Sequence, residues 1–341
     1  MKVLGKRARI AAYLSELSQL NIPDSLESGL VIDLFAGCGG LSLGFESVGF
    51  QTIGYEREEK YVETYNNNLR GKCLNEELSI ETIFPDAEVV IGGPPCQPWS
   101  ETGKNLGNKD SRDGFPTFIR CVKQVKPRLF IAENVKGLTF EKNKQYLRHI
   151  ISQLEDLGYE VESKVIRMVN HGLPQKRERL FIIGHHGGFN FPKENDQIFT
   201  VEDALGVWAK QEPLDCKYLT PSEDKYIASY EEKCQVQRPR DLHLNQASRT
   251  LTCRNLSGST SDMIRISLPS GRRRKLRVKE AARIQGFPDW FKFNGTDSAS
   301  FNQIGQSVPP LFSRQLALSV LEYLQIKNSA LNKNQTQLAT L

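Results

Sequence analysis

The sequence predicts an α/β fold with a doubly wound, mostly parallel sheet and a smaller irregular domain. Short apolar runs alternate with segments of helical periodicity over the first half of the chain, as they do around parallel sheets. The first of these runs ends in a glycine-rich turn that opens a helix. From His185 to about Gly271 the sequence is instead rich in Gly, Pro, Asn and Ser. This change in amino-acid composition indicates a second domain.

We expect four segments along the chain. Residues 1–184 form the main domain with an N-terminal helix. Residues 185–300 form the irregular domain and the segment that connects it back to the main domain. Residues 301–326 return to the main domain through an amphipathic helix. Residues 327–341 form a polar tail that we expect to fray.

The composition is that of a globular protein with reduced thiols. The chain has 341 residues, of which 39% are apolar and 25% charged, and is long enough for two domains. Its 7 cysteines include no C-x-x-C pair and its 5 histidines show no metal-ligand spacing, which argues against disulfides and against a metal site. We find no run of membrane-span length and no apolar secretory core, so we expect a cytoplasmic protein that binds no membrane.

Basic residues are concentrated in one stretch. The net charge is only +5, but three arginines and a lysine occupy positions 272–275, and Arg277, Lys279 and Arg283 follow. Such a run is either a solvated charged face or a surface for an anionic partner such as nucleic acid. Composition alone leaves both interpretations open.

A short helix precedes the first strand. Ile10, Leu14 and Leu17 recur at helical spacing and predict a helix over residues 8–20. It should end near Pro23, because proline does not continue a helix. We expect its apolar side to pack on the main domain.

A β-α-β unit follows this helix. A strand, a turn, a helix and a second strand are predicted over residues 30–35, 36–40, 41–48 and 51–55. Glu56 ends the second strand about twenty residues after the glycine turn, where such units hold a ribose hydroxyl. Ser42 replaces the third glycine of a dinucleotide-binding turn, which favours a nucleoside ligand without phosphates. A tight turn that binds no ligand remains the alternative.

A rigid loop follows the apolar run of residues 89–91. Two glycines and two prolines precede Cys96, so this thiol should lie on a fixed loop at the carboxyl end of a strand. Chemistry in open α/β sheets occurs at that edge. An isolated loop cysteine is more often a packing residue, so neighbouring residues must decide its role.

The alternation continues after this loop. The polar, glycine-containing residues 101–114 predict a mobile lid, and helices are predicted over 116–125 and 145–157. Strands are predicted over residues 129–132, 161–169 and 180–183. Glu133 ends the first of these strands and Arg179 immediately precedes the last. A thiol, an acid and a guanidinium could therefore converge on one cleft.

These three groups suit methylation of cytosine at carbon 5. A thiolate that adds to carbon 6 makes carbon 5 nucleophilic, and an acid at N3 and a guanidinium at O2 stabilise the electrons that the ring accepts. The chain also resembles the DNA (cytosine-5)-methyltransferases in five ordered motifs. They are Asp33–Gly40, Pro94–Gln97, Glu133–Val135, Gln175–Arg179 and Gly305–Pro309. The resemblance covers about residues 30–184 and 271–325.

The resemblance implies a Rossmann-like S-adenosylmethionine-dependent methyltransferase fold, with S-adenosylmethionine and no metal. Cys96 would be the nucleophile, Glu133 would bind N3 and the amine, and Arg179 would bind O2. Arg177 would have a supporting or phosphate-contacting role. The implied cofactor-binding residues are Phe35 near the adenine, Glu56 at the ribose, and Gly37, Gly39, Asn75, Pro95, Phe115, Gln306 and Val308 around them.

Three positions differ from the family pattern. Asn75 stands where an aspartate commonly meets the adenine amine, Gln306 where an asparagine is usual, and Arg57 where an aromatic residue often follows the ribose acid. An amide can still accept a hydrogen bond from an amine. These differences bear on cofactor affinity rather than on the chemistry.

The resemblance also implies a DNA partner. Carbon 5 is inaccessible in a stacked duplex, so the cytosine must rotate out of it. The irregular domain would then be the target-recognition domain, and Thr102 would lie on the loop that closes over the DNA. The implied DNA-binding residues are Gln97, Thr102, Arg249, Arg254, Arg272, Arg273 and Arg274. A purely structural role remains the alternative for each one taken singly.

We therefore expect a sequence-specific, bacterial-type DNA methyltransferase that modifies cytosine and acts on double-stranded DNA as a monomer. It would be nucleoid-associated and belong to a restriction-modification system, with a companion endonuclease that need not bind it directly. Two alternatives remain. The first is a tRNA cytosine-5 methyltransferase of the same fold, and the second is a catalytically silent DNA-binding regulator.

Overall fold

The computed structural model describes residues 5–79, 81–95, 113–233, 241–258 and 262–338. The strands are β1 Leu30–Leu34, β2 Gln51–Glu56, β3 Lys72–Asn75, β4 Val89–Gly92, β5 Leu129–Val135, β6 Glu160–Arg167, β7 Gln175–Lys176, β8 Glu178–His185, β9 Ser248–Arg249, β10 Arg265–Ser267 and β11 Arg273–Lys275. The helices are α1 Lys6–Ser18, α2 Gly40–Glu46, α3 Glu59–Asn68, α4 Phe115–Val125, α5 Lys144–Glu155, α6 Val201–Leu205, α7 Pro221–Lys233, α8 Cys253–Ser257, α9 Val278–Ile284, α10 Asp297–Gln306 and α11 Pro310–Leu338.

The chain divides into two compact units. The first, here called the sheet unit, comprises residues Asn21–Ile166, Glu178–Lys193 and Phe312–Leu341. The second, called the mixed unit, comprises Met1–Leu20, Arg167–Arg177 and Glu194–Leu311. Among the residues just given as described, no helix is long and apolar enough to cross a membrane.

The sheet unit contains a seven-stranded sheet in the order β3-β2-β1-β4-β5-β8-β6. Strands β3, β2, β1, β4 and β5 run parallel to their neighbours, whereas β8 is antiparallel to β5. The chain leaves β1 on one side to form β2 and β3, then returns to its other side as β4. This order is a doubly wound sheet whose topological switch point lies between β1 and β4. The predicted fold class is confirmed.

The strands of this sheet form because their apolar runs are covered on both faces. Val31 and Ile32 in β1, Val90 in β4 and Phe130 in β5 are fully buried. Phe118 of α4 packs edge-on against Phe130 at a centroid distance of 6.0 Å. Continuous apolar runs of this kind gave the clearest strand predictions.

The N-terminal helix packs within the mixed unit, and the prediction that it packs on the main domain is wrong. Arg9 of α1 donates a 3.1 Å hydrogen bond from Nε to Asp203 of α6. The Tyr13 hydroxyl reaches the backbone carbonyl of Arg283 in α9. Both partners lie far along the chain, which local periodicity cannot reveal.

The boundaries of the units also differ from the predicted ones. The segment Arg167–Arg177 belongs to the mixed unit, and the sheet unit continues to Lys193 rather than ending at residue 184. The sheet unit resumes at Phe312 instead of residue 301. The backbone of α11 is helical to Leu338, so the polar composition of residues 327–338 does not prevent a helix.

The predicted irregular domain contains one longer helix that the apolar pattern did not predict. Helix α7 spans 13 residues of the mixed unit. Thr220 donates its backbone N–H to the Glu223 carboxylate at 2.8 Å, and Glu223 donates its backbone N–H to the Thr220 hydroxyl at 3.2 Å. These two hydrogen bonds form a capping box at the N-terminus of α7. The sequence Thr-Pro-Ser-Glu at positions 220–223 is the pattern that could have predicted this helix.

Candidate active site

The candidate site lies at the carboxyl ends of β1, β2, β4 and β5 in the sheet unit. Crossover connections leave β1 and β4 in opposite directions, so a crevice opens between the loops that follow them. The glycine turn follows β1, and residues 93–95 follow β4. Glu56 ends β2 and Glu133 lies near the end of β5, so the topology brings all these groups to one edge.

The glycine turn after β1 combines a tight backbone with open space. Phe35 has a φ of 59°, a left-handed conformation that is rare for aromatic residues and is found at functional sites. Gly37 and Gly39 also have positive φ values, of 56° and 86°. A Cβ at Gly39 would lie 2.7 Å from the Tyr65 ring, whereas a Cβ at Gly37 would meet nothing within 4 Å. The turn is therefore packed on the Gly39 side and open at Gly37.

Glu56 is held by backbone amides. Its Oε2 accepts a 2.9 Å hydrogen bond from the Gly37 N–H, and its Oε1 accepts one of 2.9 Å from the Glu58 N–H. Each carboxylate oxygen has a second lone pair. The carboxylate is thus fixed beside the open glycine and retains acceptor capacity for hydroxyl groups.

Asn75 presents its oxygen rather than its nitrogen. Its Nδ2 donates to the backbone carbonyls of Arg57 at 2.8 Å and Glu56 at 3.3 Å. Two carbonyl acceptors fix the orientation of the amide, so Oδ1 points away from them. Asn75 therefore offers an acceptor, as the aspartate of the family pattern does. Arg57 is exposed and lies 3.6 Å from both Glu58 and Glu77.

A buried polar network supports the glycine turn from below. The Ser42 hydroxyl donates to Asp33 at 2.6 Å, and the Tyr65 hydroxyl lies 3.0 Å from Ser42 and 2.7 Å from Thr52. Thr52 in turn donates to the carboxylate of Glu46. Burial raises the pKa of Asp33 to about 7, although the hydrogen bond from Ser42 opposes this.

The network explains why a serine stands at position 42 in place of a third glycine, because its hydroxyl faces the interior and bonds to Asp33. The sequence pattern marked Ser42 only as a departure from a glycine motif and assigned no role to Asp33, Tyr65 or Glu46. The available signal was an acid inside an apolar strand, because a buried carboxyl requires hydrogen-bond partners.

The base of the Cys96 loop is anchored at both sides. The Asn134 side-chain amide donates to the Pro94 carbonyl at 2.9 Å. Gly114 donates its backbone N–H to the Pro95 carbonyl at 2.9 Å, which joins the two ends of the segment between them. Cys96, Gln97, Thr102 and most of the predicted lid lie outside the described residues. Asn134 is a positioning residue that belongs to a recognised motif but had no predicted role.

Glu133 and Arg179 meet across two adjacent strands. In the antiparallel pairing of β5 and β8, Glu133 lies opposite Phe181, two residues from Arg179. The two side chains therefore emerge on the same face as diagonal neighbours. Arg179 Nε lies 3.0 Å from Glu133 Oε1, with side-chain exposures of 15% and 11%. The contact is an ion pair rather than an aligned hydrogen bond.

The Glu133 carboxylate also lies close to Gly93, in the segment of residues 93–95 that leads to Cys96. A Cβ added to Gly93 would be 3.6 Å from Glu133 Oε2. The acid and the guanidinium therefore occupy the edge from which the Cys96 loop begins. The structure brings together two of the three predicted catalytic side chains, and the third follows Pro95 directly in sequence.

Phe35, Pro95 and Gly114 pack closely beside this edge. A Cβ at Gly114 would lie 2.5 Å from Pro95 Cδ and 2.9 Å from Phe35 Cζ. Phe115 is only 1% exposed, and its ring packs edge-on against Tyr146. Phe115 thus supports the site from the hydrophobic core, which corrects the expectation that its ring lines the cofactor pocket.

Arg177 is fully buried in the mixed unit. Its guanidinium donates to the backbone carbonyls of Leu251 at 3.1 Å, Gly305 at 3.2 Å and Ser307 at 3.0 Å. It therefore holds the segment before α8 to the end of α10. This agrees with a supporting role and excludes a phosphate contact, because the side chain has no exposed surface.

Arg249 and Arg254 share one acid in the mixed unit. Arg249 Nη1 lies 3.0 Å from Asp262 Oδ1, and Arg254 Nε lies 3.3 Å from Asp262 Oδ2. Arg249 is partly buried by this contact, whereas the Arg254 side chain is 75% exposed. Arg254 therefore remains available to a macromolecular partner, and Arg249 mainly holds Asp262.

The arginine run does not form the uniform basic surface that the sequence suggested. Arg274 is fully buried and its guanidinium contacts Glu280, also fully buried, at 2.8 Å and 2.9 Å. Arg273 donates to Asp224 at 2.7 Å. Only Arg272 of the three arginines is well exposed, and it stacks on Tyr218 at 3.8 Å. The expectation that Arg273 and Arg274 bind DNA is corrected, because acids elsewhere in the unit already bind them.

Gln306 and Val308, the remaining predicted cofactor residues, belong to the mixed unit. Gln306 is exposed and ends α10, while Val308 is buried. Their role at the cofactor stays a prediction.

One group of potential metal ligands lies in the sheet unit. The ligand atoms of Glu160, Glu162 and His185 are within 4.8 Å of one another. His185 Nδ1 accepts a 3.0 Å hydrogen bond from the Gly187 N–H, so the ring proton is assigned to Nε2, which lies 2.9 Å from Glu162. This tautomer has no nitrogen lone pair left for a metal.

Comparison with known proteins identifies the family. The model of the C-5 cytosine-specific DNA methylases matches residues 30–322. The chain is 48% identical to the Type II methyltransferase M.AplI of Arthrospira platensis over 320 residues, covering 93% of this chain and 92% of that protein. It is 34% identical to the Type II methyltransferase M.FnuDI of Fusobacterium nucleatum, covering 87% and 95% of the two chains.

Solved structures show the same fold. The Entamoeba histolytica methyltransferase EhMeth superposes with a TM-score of 0.67 at 16% identity, covering 86% of this chain and 98% of that one. The S. pombe Dnmt2 methyltransferase gives a TM-score of 0.65 at 17% identity, with the same coverage. The glycine turn, the paired Glu133 and Arg179, and the match over residues 30–322 agree, and the chain belongs to the C-5 cytosine-specific DNA methylases.

Proposed function

We propose that this methylase transfers a methyl group to carbon 5 of a cytosine rotated out of duplex DNA, and that Cys96 is its nucleophile. The observation that carries the mechanism is the Glu133–Arg179 pair, held 3.0 Å apart at the base of the loop that leads to Cys96. A carboxyl and a guanidinium at one point can bind both polar edges of a cytosine. The geometry follows from the register of the antiparallel pair β5 and β8, in which Glu133 lies opposite Phe181 and Arg179 opposite Val135.

The residues of the sheet unit fit S-adenosylmethionine. Gly37 leaves open space in the turn, Glu56 retains acceptor capacity for ribose hydroxyls, and Asn75 offers an oxygen to the adenine amine. Phe35 and Pro95 supply apolar surface next to them. When bound, S-adenosylmethionine supplies the methyl group.

The protein residues would act as follows. The Cys96 thiolate adds to carbon 6 of the cytosine, and the electrons move into the ring and make carbon 5 nucleophilic. Glu133, in its protonated form, shares its proton with N3 and accepts a hydrogen bond from the exocyclic amine, while Arg179 stabilises negative charge at O2. After methylation, the carbon-5 proton passes to water, the Cys96 sulfur leaves carbon 6 as a thiolate, and the proton shared with N3 returns to Glu133, which restores the aromatic ring.

We further propose that the chain modifies DNA in a sequence-specific manner as a Type II methyltransferase of a restriction-modification system. The support is its similarity to two proteins named as Type II methyltransferases over most of their length. Arg254, exposed on α8, is the best candidate for a base contact. Action as a monomer and a companion endonuclease that need not bind remain parts of this proposal.

The nucleic acid that accepts the methyl group distinguishes this proposal from the alternative of a tRNA methyltransferase. We would incubate the purified protein and tritiated S-adenosylmethionine with duplex DNA and, separately, with tRNA. Label in DNA supports the proposal, and label in tRNA alone contradicts it. Bisulfite sequencing of DNA from cells that express the protein would then identify the modified cytosine and the recognised sequence.

The Cys96→Ser variant should transfer no methyl group, since a hydroxyl is a far weaker nucleophile than a thiolate.

A further inference from the structure

A cavity of about 710 Å³ lies in the mixed unit, and none of its lining residues is assigned above to catalysis. Its apolar lining includes Phe287, Phe291 and Phe301. Lysines line it as well, at positions 217, 275, 279 and 292. An apolar concavity that carries several cations is suited to an anionic ligand.

Two of these lysines are held opposite each other by the backbone. The segment around Tyr218 pairs antiparallel with β11, with Tyr218 opposite Arg274. Lys275 donates its backbone N–H to the Lys217 carbonyl at 2.9 Å. Lys217 and Lys275 are therefore a cross-strand pair of like charge, an arrangement that destabilises a fold unless an anion offsets it.

The charge at this position is not neutralised by ion pairs. Burial, together with the charge of Lys217, lowers the pKa of Lys275. Glu223 acts on Lys275 in the opposite direction, and the pKa of Glu223 is itself lowered, first by the hydrogen bond from the Thr220 N–H and then by Lys217 and Lys275, so this carboxylate offsets part of the lysine charge. Within the part of the chain that the structure describes, no carboxylate forms an ion pair with Lys217, Lys275 or Lys279.

The neighbouring arginines differ in this respect. Each has an acidic partner, in the pairs Arg272–Glu212, Arg273–Asp224, Arg274–Glu280, Arg277–Glu280 and Arg283–Asp289. Two further acids, Asp215 and Asp297, line the cavity and are exposed. Among the cations that line the cavity in the described part of the chain, Lys217, Lys275 and Lys279 thus differ from Arg277 in having no ion pair with a carboxylate.

The position of the cavity indicates which anion it takes. Leu256 and Ser257 of α8 line it, and the same five-residue helix carries the exposed Arg254. A duplex that contacts Arg254 would place its backbone next to this side of the mixed unit. A phosphodiester is then the nearest anion.

We propose that Lys217 and Lys275 bind backbone phosphate of the DNA beside α8, with Lys279 adding to the same site. The proposal rests on the proposed function, because it requires that the chain binds DNA. It assigns to three lysines the DNA contact that the family resemblance implied for Arg272, Arg273 and Arg274.

The test compares the salt dependence of DNA binding for the wild type and the variant Lys217→Gln/Lys275→Gln. Glutamine keeps most of the side-chain length and removes both charges. The slope of log Kd against log salt should become less steep by about 0.9 for each phosphate that the variant no longer neutralises.

The matched control is Lys225→Gln/Lys233→Gln on α7, which removes the same charge from exposed positions of the same unit. Its slope should equal that of wild type. Equal slopes for all three proteins, or an equal decrease in slope for both variants, would overturn the proposal.

Inorganic tripolyphosphate is the second probe. It should compete with DNA for the wild type. If tripolyphosphate binds the wild type but not the Lys217→Gln/Lys275→Gln variant, and does not weaken DNA binding, the site takes a free anion and the proposal is wrong.

The two proposals fail in different ways. Absence of methyl transfer to DNA by the wild type contradicts the proposed function. Intact methyl transfer with an unchanged salt slope in the Lys217→Gln/Lys275→Gln variant contradicts only the phosphate site.

Discussion

At the scale of single residues, the contact between Glu133 and Arg179 defines what the sheet unit can do. Both side chains are mostly buried, so neither charge is well solvated without the other. The Arg179 and Glu133 side chains nevertheless keep 15% and 11% of their surface exposed, and Glu133 Oε2 lies 3.6 Å from the position of a Cβ on Gly93. A pair that only stabilised the fold would not need to lie at the carboxyl ends of the strands.

Replacing Glu133 tests this assignment. Glu133→Gln should lower kcat for methyl transfer by about 10²-fold to 10⁴-fold, because the amide cannot share a proton with N3. DNA binding should change far less. The matched control is Glu88→Gln, which weakens the 3.2 Å ion pair with Arg128 in the same unit. Comparable decreases of kcat in both variants would show that Glu133 acts only through folding.

Asp33 gives the sheet unit a pH-dependent stability. Burial raises its pKa to about 7 in the folded state, from an ordinary value of 3.8. Its contribution to the unfolding free energy is therefore fully present below about pH 4 and is lost as the pH rises through 7. In Asp33→Asn the group no longer titrates. The unfolding free energy of Asp33→Asn relative to wild type should increase between about pH 4 and pH 7 and then remain level.

Urea denaturation at a series of pH values measures this difference. Asp86→Asn, which removes an exposed carboxylate from the same unit, is the matched control. A constant difference for Asp33→Asn would contradict the account of Asp33.

Single residues were predicted unevenly from the sequence. Cys96, Glu133, Arg179 and Glu56 lie at or near strand ends, and a sheet edge collects such residues whatever their distance in sequence. Arg273 and Arg274 were misassigned because the acids that bind them, Asp224 and Glu280, were not recognisable as partners from sequence alone. Composition records that a cation is present, but not which carboxylate neutralises it.

At the scale of elements, the Cys96 loop depends on its flanks. Strand β5 contributes Asn134, which holds Pro94, and the residue before α4 is Gly114, which holds Pro95. The two anchors fix the ends of the segment from opposite sides. This arrangement explains why a glycine precedes α4, since any side chain there would enter the space of Pro95 and Phe35.

Gly114→Ala tests the second anchor. Its Cβ would lie 2.5 Å from Pro95 Cδ, so the loop base must shift, and overpacking of this kind costs about 1–3 kcal/mol. We expect a lower unfolding free energy and a larger loss of methyl transfer than of stability. Gly137→Ala is the control, because its Cβ would be 3.9 Å from the nearest atom. If both variants retained full activity, the close packing around Gly114 would have no role in positioning the loop.

Elements were predictable where their residues are buried on both faces. Strands β1, β4 and β5 correspond directly to apolar runs, and their glycine and proline ends marked the loops. Helices α3 and α7 and strand β3 were not predicted. Few of their residues are buried, so their apolar periodicity is weak.

At the scale of the whole molecule, the chain consists of two units whose segments interleave in sequence. The Gln175–Arg179 motif is divided between them, with Arg177 in the mixed unit and Arg179 in the sheet unit. One motif thus supplies a structural arginine to one unit and a catalytic candidate to the other. The sequence alone predicted both at the site, since adjacency along the chain does not reveal which unit a side chain enters.

The central claim is that Cys96 attacks a cytosine that Glu133 and Arg179 have polarised. A duplex that carries 5-fluorocytosine at the methylated position tests it most directly, because fluorine at carbon 5 cannot leave as a proton does and the adduct persists. With S-adenosylmethionine present, mass spectrometry should find a covalent protein–DNA adduct at Cys96 in the wild type, and none in Cys96→Ser. An adduct at another residue, or methyl transfer by Cys96→Ser at the wild-type rate, would contradict the account.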